Sequence, residues 1–265
     1  MDLELKGKSV IVTGGASNIG RAITLGFAAE GANLTIAEID MPLGEKVAEE
    51  ARQLGASGVQ VIETDVTDLQ QVKNMIAAAV SQFGGVDALV NNVGWDQLMF
   101  FAQTTPEFWQ RIIQINFVGV LNCTHSVLDL MIKNGGGSIV CLSSDASRQG
   151  EAREAVYGAV KAGVNGLMKS IARENGRFGV RCNVICPGIT IPDDDETVSA
   201  NSMWANKEDM FTEEQFAKIA ANLPLKKLGK PKDIANAVLF MSSRAVAGHI
   251  TGQVTSVSGG YSMIG

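Results

Sequence analysis

The sequence predicts one α/β domain built on a doubly wound parallel sheet with helices on both faces. Short runs rich in Val, Ile and Leu recur along the chain, segments with helical periodicity separate them, and no change in composition divides the 265 residues. Repeated strand–helix alternation is typical of such a sheet, and a single core extends over chains of up to ~250–300 residues. We therefore expect a single domain over residues 1–265.

The predicted strands are continuous apolar runs, as expected where helices cover both faces of a sheet. In chain order they are Ser9–Val12, Asn33–Ala37, Val59–Ile62, Asp87–Val90, Ser138–Leu142, Val180–Ile185 and Gln253–Val257. Helical periodicity is clearest at 23–28 and 72–83. Gly31, Gly55 and Gly84 stand where helices should end, because glycine readily adopts the left-handed C-cap conformation.

Composition and spacing exclude several classes of protein. The chain has 22 basic and 28 acidic residues and no basic run, which argues against nucleic acid or an anionic membrane as partner. Its apolar stretches are shorter than the ~18 residues of a membrane span, and its start lacks signal-peptide features. The four cysteines form no C-x-x-C pair and the two histidines are isolated. We therefore expect a reduced, cytoplasmic protein without a metal site.

A glycine-rich turn, TGGASNIG at 13–20, joins the first strand to a helix. Glycine lets the backbone approach a pyrophosphate, and the amino end of the helix attracts the anion. Gly20 would also allow the helix to pack closely against the strand. The position of this turn predicts a Rossmann-like dinucleotide site.

An acidic residue ends the second strand. Glu38 follows Gly20 by 18 residues, where an acid accepts hydrogen bonds from the adenosine ribose hydroxyls of NAD. Its carboxylate would repel the 2′-phosphate of NADP, and the loop has no arginine before Asn18. The sequence therefore predicts NAD as the cofactor, with Asp40 as an alternative acid.

Tyr157 and Lys161 lie four residues apart in a predicted helix, so their side chains share one face. A tyrosine with its ordinary pKa of ~10 is a poor base, and a lysine ammonium within one turn would lower that pKa. Ser143 and Ser144 follow a strand directly and would bind a carbonyl or alkoxide oxygen. All these groups follow strands, so we expect one site at the carboxyl edge of the sheet.

The segment at about 189–228 lacks any strand pattern and contains an acidic run at 193–196. A long insertion after a strand's carboxyl end is more often functional than passive. We predict a substrate lid here, and a surface excursion with one or two helices is the alternative.

Together these motifs resemble the short-chain dehydrogenase/reductase family over essentially the whole chain. The matching stretches are TGxxxNIG at 13–20, Asp65-Val66, NNVG at 91–94, Asn116, Ser144, YxxxK at 157–161, Pro187-Gly188 and ITGQ at 250–253. The resemblance implies a seven-stranded sheet, an NAD-dependent interconversion of a secondary alcohol and a ketone, and a homotetramer.

The resemblance also implies roles for individual residues. Tyr157 would take the hydroxyl proton, Lys161 would tune Tyr157 and hold the nicotinamide ribose, Ser144 would hold the substrate oxygen, and Asn116 would anchor a water in the proton path. The cofactor-binding residues would be Gly14, Ser17, Asn18, Ile19, Gly20, Glu38, Asp65, Val66, Asn91, Val93, Gly94, Tyr157, Lys161, Pro187, Gly188 and Thr190.

Three positions depart from the family pattern. Asn18 replaces the middle glycine of the turn, and asparagine tolerates a left-handed φ better than most residues. Pro192 stands where a threonine often helps to hold the nicotinamide, and Ser258 replaces an aspartate. Asn18 and Pro192 are the only support for a different class of function, a non-catalytic partner subunit of a dehydrogenase complex.

Stretches at 91–96, 144–148, 154–157 and 257–260 are similar to a branch of the family, the 2-hydroxycyclohexanecarboxyl-CoA dehydrogenases. This likeness implies an alicyclic β-hydroxyacyl-CoA substrate from ring degradation. Predicted substrate contacts are Ser144 for the reacting oxygen, Trp95, Met203 and Trp204 for a ring, and Arg148, Arg153 and Lys207 for CoA phosphates. The acidic run at 193–196 would repel CoA unless it is turned outward, so a smaller neutral cyclic or aryl secondary alcohol is the alternative substrate.

Overall fold

The computed structural model describes residues 1–194, 197–205 and 211–264, and its centre is one parallel sheet of seven strands. The strands are β1 (Ser9–Thr13), β2 (Asn33–Glu38), β3 (Gly58–Glu63), β4 (Ala88–Asn91), β5 (Gly137–Leu142), β6 (Val180–Pro187) and β7 (Val254–Val257). All seven predicted strands are confirmed, and their bounds differ from the prediction by at most two residues.

Helices connect the strands. They are α1 (Asn18–Ala29), α2 (Met41–Leu54), α3 (Leu69–Phe83), α4 (Pro106–Ile113), α5 (Gly119–Lys133), α6 (Ala146–Gln149), α7 (Ala155–Asn175), α8 (Glu213–Asn222), α9 (Pro231–Ser242) and α10 (Arg244–Ala247). A π-helical turn, Gln114–Val118, joins α4 to α5, and short 3-10 turns lie at Phe101–Gln103 and Gly176–Phe178.

The order of the strands creates a crevice. Along the sheet they run β3-β2-β1-β4-β5-β6-β7, so β1 pairs with both β2 and β4. The chain moves outward from β1 to β3 and then crosses back to β4. Connections therefore diverge at the carboxyl ends of β1 and β4, the usual ligand position in an open α/β sheet.

The apolar side chains form a layer on each face of the sheet. On one face α3, α5 and α7 cover the strands with buried residues such as Met75, Val127 and Met168. On the other face α1 and α9 do so, for example with Phe27 and Val238. The predicted apolar faces at 23–28 and 72–83 therefore pack against the sheet, which confirms the doubly wound fold.

Glycine ends the first three helices as predicted. Gly55 and Gly84 cap α2 and α3 with φ of 109° and 82°, and Gly31 follows α1 with φ of 73°. An L-residue with a side chain strains at such angles, and glycine does not.

One continuous helical stretch, Pro106–Lys133, is long and apolar enough by length and composition to cross a membrane. A core helix passes the same test. Here Ile112, Val120, Val127 and Met131 are buried against the sheet. Core packing therefore accounts for much of the apolar character of this helix.

A buried arginine ties β6 to the end of α9. Arg181 is 7% exposed, and its guanidinium donates hydrogen bonds to the carbonyl oxygens of Met241, Ser242, Ser243 and Ile250. Burial lowers the pKa of Arg181. The carbonyl oxygens of Met241, Ser243 and Ile250 also accept from other donors, so Arg181 adds a second bond at each of them and supplies the donor for Ser242.

We predict that Arg181→Met lowers the free energy of unfolding by about 3 kcal/mol, because it removes four hydrogen bonds from a buried cation and leaves the Ser242 carbonyl oxygen without its donor. The shift of the urea midpoint measures this loss. Arg173→Met, at an exposed position of α7, is the matched control and should change the free energy of unfolding by less than about 0.5 kcal/mol. Equal shifts for both variants would contradict the prediction.

Candidate active site

A cavity of about 880 Å³ opens at the carboxyl edge of the sheet, where the loops after the strands converge. It brings together most of the residues that the sequence predicts for the site. These are Gly14, Ser17, Asn18, Ile19, Gly20, Glu38, Asp65, Val66, Val93, Gly94, Trp95, Ser144, Arg153, Tyr157, Lys161, Pro187, Gly188, Thr190, Met203 and Trp204. Asn91, Asn116 and Arg148 do not line it.

The glycine-rich turn forms a cradle at the amino end of α1. A Cβ atom at Gly20 would lie 1.9 Å from the carbonyl oxygen of Gly14, so only glycine fits there. Asn18 takes the left-handed φ of 46° that the sequence led us to expect. Its Oδ1 is buried without a hydrogen-bond partner, and α1 begins without a side-chain cap. The uncapped helix end and the close backbone fit the pyrophosphate of a dinucleotide.

Glu38 supports this cradle from the end of β2. Its carboxylate accepts hydrogen bonds from the backbone N–H groups of Ala16 (3.2 Å) and Ile39 (2.9 Å). The residue is buried, and burial raises the pKa of its carboxyl. Asp40, the alternative acid, instead caps α2 through the N–H of Leu43. Glu38 is therefore the acid that faces the cavity.

Asn91 was expected to contact the cofactor, but its neighbour Asn92 is the asparagine whose side chain reaches the glycine-rich turn. The Asn91 amide donates to Thr124 Oγ1 and Cys141 Sγ, so its side chain faces the core. The Asn92 amide donates to the carbonyl oxygens of Thr13 and Gly14, each at 3.0 Å. Asn92 thus holds the glycine-rich turn, a role that the sequence did not suggest because both asparagines follow the same strand.

Tyr157 and Lys161 lie on one face of α7, as predicted. Lys161 is 2% exposed, and its Nζ donates to the carbonyl oxygen of Leu142 at 2.9 Å. The same Nζ lies 5.5 Å from the centre of the Tyr157 ring. Burial lowers the pKa of Lys161 to about 8, while Cys141 and other nearby acids act in the opposite direction. The ammonium is therefore close to the proton-transfer range of neutral pH.

The pKa of Tyr157 moves in the opposite direction from the sequence-based expectation. Burial is the main cause of its rise, and the carboxyls of Glu154 and Asp96 add to it. Lys161 was expected to lower this pKa. Its ammonium is held by the Leu142 carbonyl, and burial with the two acids outweighs it in this structure.

Asn116 lies behind the cavity wall in the π-helical turn between α4 and α5, and it is fully buried. Its Nδ2 donates to the carbonyl oxygens of Trp95 (2.8 Å) and Ile112 (3.0 Å), and its Oδ1 accepts from the N–H of Trp95. A Cβ atom at Gly94 would lie 3.1 Å from Asn116 Oδ1 and 3.2 Å from Lys161 Nζ. Gly94 thus lets Asn116 and Lys161 approach the same point.

Ser143 and Ser144 have different environments. Ser143 is buried, and its Oγ bonds to Ser147 Oγ and to the carbonyl oxygen of Lys161. Ser144 is more exposed, and its Oγ accepts from the N–H of Ala146 at 3.1 Å. That bond leaves the Ser144 hydroxyl proton free for an oxygen in the cavity.

The far wall of the cavity is mainly apolar. Trp95, Met203 and Trp204 contribute to it, together with Leu98, Ile115, Phe211 and Ile219.

Two of the three basic residues predicted for CoA phosphates are described. The prediction for Arg148 is wrong, because its guanidinium donates to Ser256 Oγ and to the carbonyl oxygen of Ile264, which holds it outside the cavity. Arg153 is exposed at the cavity. Lys207 lies outside the described residues.

The two ends of the segment predicted as a lid lie side by side. Thr190 and Gly229 form a β-bridge at its base. At its far side the N–H of Ser199 donates to Ser17 Oγ, and Ser199 Oγ donates to Asp40, both at 3.0 Å. The segment therefore reaches across the cavity to the glycine-rich turn.

The acidic run at 193–196 is partly described. Asp193 is 62% exposed and pairs with Lys230 at 3.3 Å, and Asp194 is exposed. Asp195 and Glu196 lie outside the described residues. The described part of the run thus faces away from the cavity.

Two acids beside Tyr157 were given no role by the sequence. Glu154 lines the cavity. Asp96 is buried, and its charge raises the pKa of Glu154. The available signals were that Glu154 precedes Tyr157 by three residues and that Asp96 follows Gly94 by two. In the described ranges, no group of three His, Cys, Asp or Glu residues is placed to hold a metal ion.

We predict that Gly20→Ala raises the Kd for NADH at least about tenfold, because the methyl group displaces the Gly14 carbonyl from the cradle. Titration followed by NADH fluorescence measures the change. Gly166→Ala, in α7 with open space around it, is the control and should leave the Kd unchanged. An unchanged Kd for Gly20→Ala would contradict the assignment of the cradle.

Comparison with known proteins agrees with this geometry. A family model described as enoyl-(acyl carrier protein) reductase matches residues 14–262. The 3-oxoacyl-[acyl-carrier-protein] reductase FabG of Staphylococcus aureus (strain Mu50) is 37% identical over 97% of this chain and 98% of its own length. The short chain dehydrogenase/reductase astE of Aspergillus oryzae is 36% identical over 98% of this chain and 97% of its own.

A solved structure shows the same fold. A 7α-hydroxysteroid dehydrogenase complexed with NADH and 7-oxo glycochenodeoxycholic acid superposes with a TM-score of 0.87 at 31% identity. The match covers 98% of this chain and 96% of that one. The chain therefore belongs to the short-chain dehydrogenase/reductase family of oxidoreductases.

Proposed function

We propose that this protein is an NAD-dependent dehydrogenase that interconverts a secondary alcohol and a ketone. One observation carries the proposal: Tyr157, Ser144 and Lys161 share a cavity with the glycine-rich turn and Glu38. Oxidation of an alcohol needs a proton acceptor, a hydroxyl that holds the oxygen, and a bound hydride acceptor. A cytoplasmic homotetramer, which the family resemblance implies, remains part of the proposal.

The residues of this chain handle the proton and the oxygen. NAD, held by the cradle at 13–20, supplies the acceptor for the hydride that leaves the carbinol carbon with both electrons of its C–H bond. The Tyr157 phenolate accepts the hydroxyl proton as the C=O bond forms, and in the reverse direction its hydroxyl donates that proton. Ser144 donates a hydrogen bond to the substrate oxygen throughout.

The raised pKa of Tyr157 affects ketone reduction and alcohol oxidation in opposite ways. Burial with Glu154 and Asp96 keeps Tyr157 protonated, which is the form that donates a proton to a ketone. Oxidation needs the phenolate, and the positive charges of Lys161 and of an oxidised nicotinamide favour it. Asn116, fixed beside Lys161, would hold a water through which the proton leaves.

The choice of NAD over NADP rests on Glu38. Its buried carboxylate lies in the cavity at the end of β2, where a second negative charge would be repelled. The glycine-rich turn offers Ser17, not a cation, at the adenosine end. The structural relative that contains NADH agrees with this choice.

We further propose an alicyclic β-hydroxyacyl-CoA as the substrate. The wall with Trp95, Met203 and Trp204 would accommodate a ring, and Arg153 is a cation at the cavity for a phosphate. The exposed Asp193, paired with Lys230, weakens the objection that the acidic run repels CoA. The 3-oxoacyl-[acyl-carrier-protein] reductase relatives are named for a ketone at the corresponding position of an acyl chain.

The engagement of Arg148 by Ser256 and Ile264 favours the second candidate, a small neutral cyclic or aryl secondary alcohol. A non-catalytic partner subunit has less support, because Asn18 adopts the backbone angle that the turn requires.

We predict that Tyr157→Phe abolishes NAD reduction with cyclic secondary alcohols, at least about a thousandfold in kcat, because the proton acceptor is gone. Absorbance of NADH measures the rate with cyclohexanol and with hydroxyacyl-CoA esters. The chain has one other tyrosine, so Tyr261→Phe is the natural comparison and should retain turnover. Turnover surviving in Tyr157→Phe would refute the mechanism.

We predict that the unmodified protein prefers NAD to NADP by about a hundredfold or more in kcat/KM, and that Glu38→Gln lowers this preference about tenfold. Glutamine keeps the shape and removes the charge. Glu45→Gln, at an exposed position of α2, should leave the preference unchanged. An equal preference in Glu38→Gln and the unmodified protein would show that another group selects the cofactor.

A further inference from the structure

Two carboxyl groups, those of Glu154 and Asp96, act on Tyr157 electrostatically, and neither transfers a proton in the reaction described above. Glu154 precedes α7 directly, three residues before Tyr157, and its side chain lines the cavity. Among the described residues, no hydrogen bond or ion pair engages its carboxyl, and its electrostatic neighbours are Asp96 and Glu151. Glu154 is thus a half-buried acid open to the substrate space.

Asp96 is more deeply buried. It is 4% exposed, and its Oδ2 has no hydrogen-bond partner in the described structure. It follows Gly94, which lies against Lys161 Nζ. Both acids raise the pKa of Tyr157, Glu154 from the cavity lining and Asp96 from a buried position outside that lining.

The two arginines that line the cavity do not act on Tyr157. Arg111 stacks on the ring of Trp95, with its guanidinium carbon 3.7 Å from the ring centre. Arg153 is exposed and donates to the carbonyl oxygen of Leu98. Neither is among the charges that act on Tyr157.

The other titratable groups around Glu154 are also engaged. Glu151 accepts a hydrogen bond from the hydroxyl of Tyr261. Lys161 donates to a carbonyl oxygen of β5 and acts on Asp96. Among the described groups that act on Glu154 and Asp96, Lys161 is therefore the single cation, and the others are acids.

We propose that Glu154, assisted by the charge of Asp96, is a specificity-determining residue that excludes substrates with a free carboxylate beside the reacting carbinol. The inference rests on the proposed function and narrows its substrate to a neutral derivative of the hydroxy acid, such as a thioester, or to a neutral alcohol. Two like charges about 6 Å apart, at an effective dielectric constant near 20, disfavour binding by tenfold to about a hundredfold. A thioester carries no charge at that position.

The exclusion depends on pH in a defined direction. Burial raises the pKa of Asp96 to about 6 and that of Glu154 to about 7. Both groups are carboxylates above these values and become neutral as the pH falls through them. The selection against an anionic substrate therefore weakens between pH 7.5 and 6, and Lys161, with a pKa of about 8, becomes fully protonated over the same range and acts in the same direction.

Two compounds of the same shape separate charge from fit. We would measure kcat/KM with NAD for 2-hydroxycyclohexanecarboxamide and for 2-hydroxycyclohexanecarboxylate, with the CoA thioester as a second neutral compound. At pH 7.5 we expect the carboxamide to exceed the carboxylate by about thirtyfold, and by less than about tenfold at pH 6. The ratio cancels any general effect on Tyr157, because both compounds use the same tyrosine.

Glu154→Gln should reduce the ratio at pH 7.5 to about threefold. Glu174→Gln, the same change at an exposed position near the other end of α7, should leave it near thirtyfold. The pH series on the unmodified protein needs no variant, so it tests the inference even if substitution at position 154 disturbs folding.

The remaining outcomes each count against the inference. Equal kcat/KM for carboxamide and carboxylate, with clear turnover of both, contradicts the exclusion and leaves the dehydrogenase function intact. Turnover of the thioester without the carboxamide contradicts it too, because charge would not be what separates the compounds. Absence of NAD reduction with all three contradicts the proposed function and removes the basis of the inference.

Discussion

The reversal of strand order at β1 and β4 is the constraint on which the rest of the molecule depends. β1 is hydrogen bonded to both β2 and β4, so the connections that leave their carboxyl ends turn in opposite directions. The gap between these connections cannot be filled by either. The glycine-rich turn borders it on one side and the loop after β4 on the other, and Asn92 joins the two through its bonds to Thr13 and Gly14.

Burial then gives the groups around this gap their chemistry. Lys161 is enclosed by the sheet and held by a backbone carbonyl, and Tyr157 stands one helical turn before it. Burial raises the pKa of Tyr157 and lowers that of Lys161 relative to exposed side chains. The neighbouring Asp96 and Glu154 act in the same low-dielectric space, so the field at the reacting oxygen is a sum of few, closely placed charges.

The fold and much of the candidate site were predictable because they rest on local patterns. Strands appeared as apolar runs, and Gly20, Glu38, Tyr157 and Lys161 were marked by their spacing from those runs. Asn91 could not be told from Asn92, since adjacent residues after a strand point to opposite sides and only the fold fixes which side is the cavity. Arg148 was misassigned because its partners, near residues 256 and 264, are over a hundred positions away.

The placement of the three tryptophans gives the protein a built-in optical reporter. Trp95, in the loop after β4, and Trp204, in the segment after β6, both line the cavity. Trp109 lies apart, bonded to Thr104 and stacked on Phe101. Two of the three indoles therefore border the substrate space, so we expect a ligand that enters it to change the intrinsic fluorescence without any label.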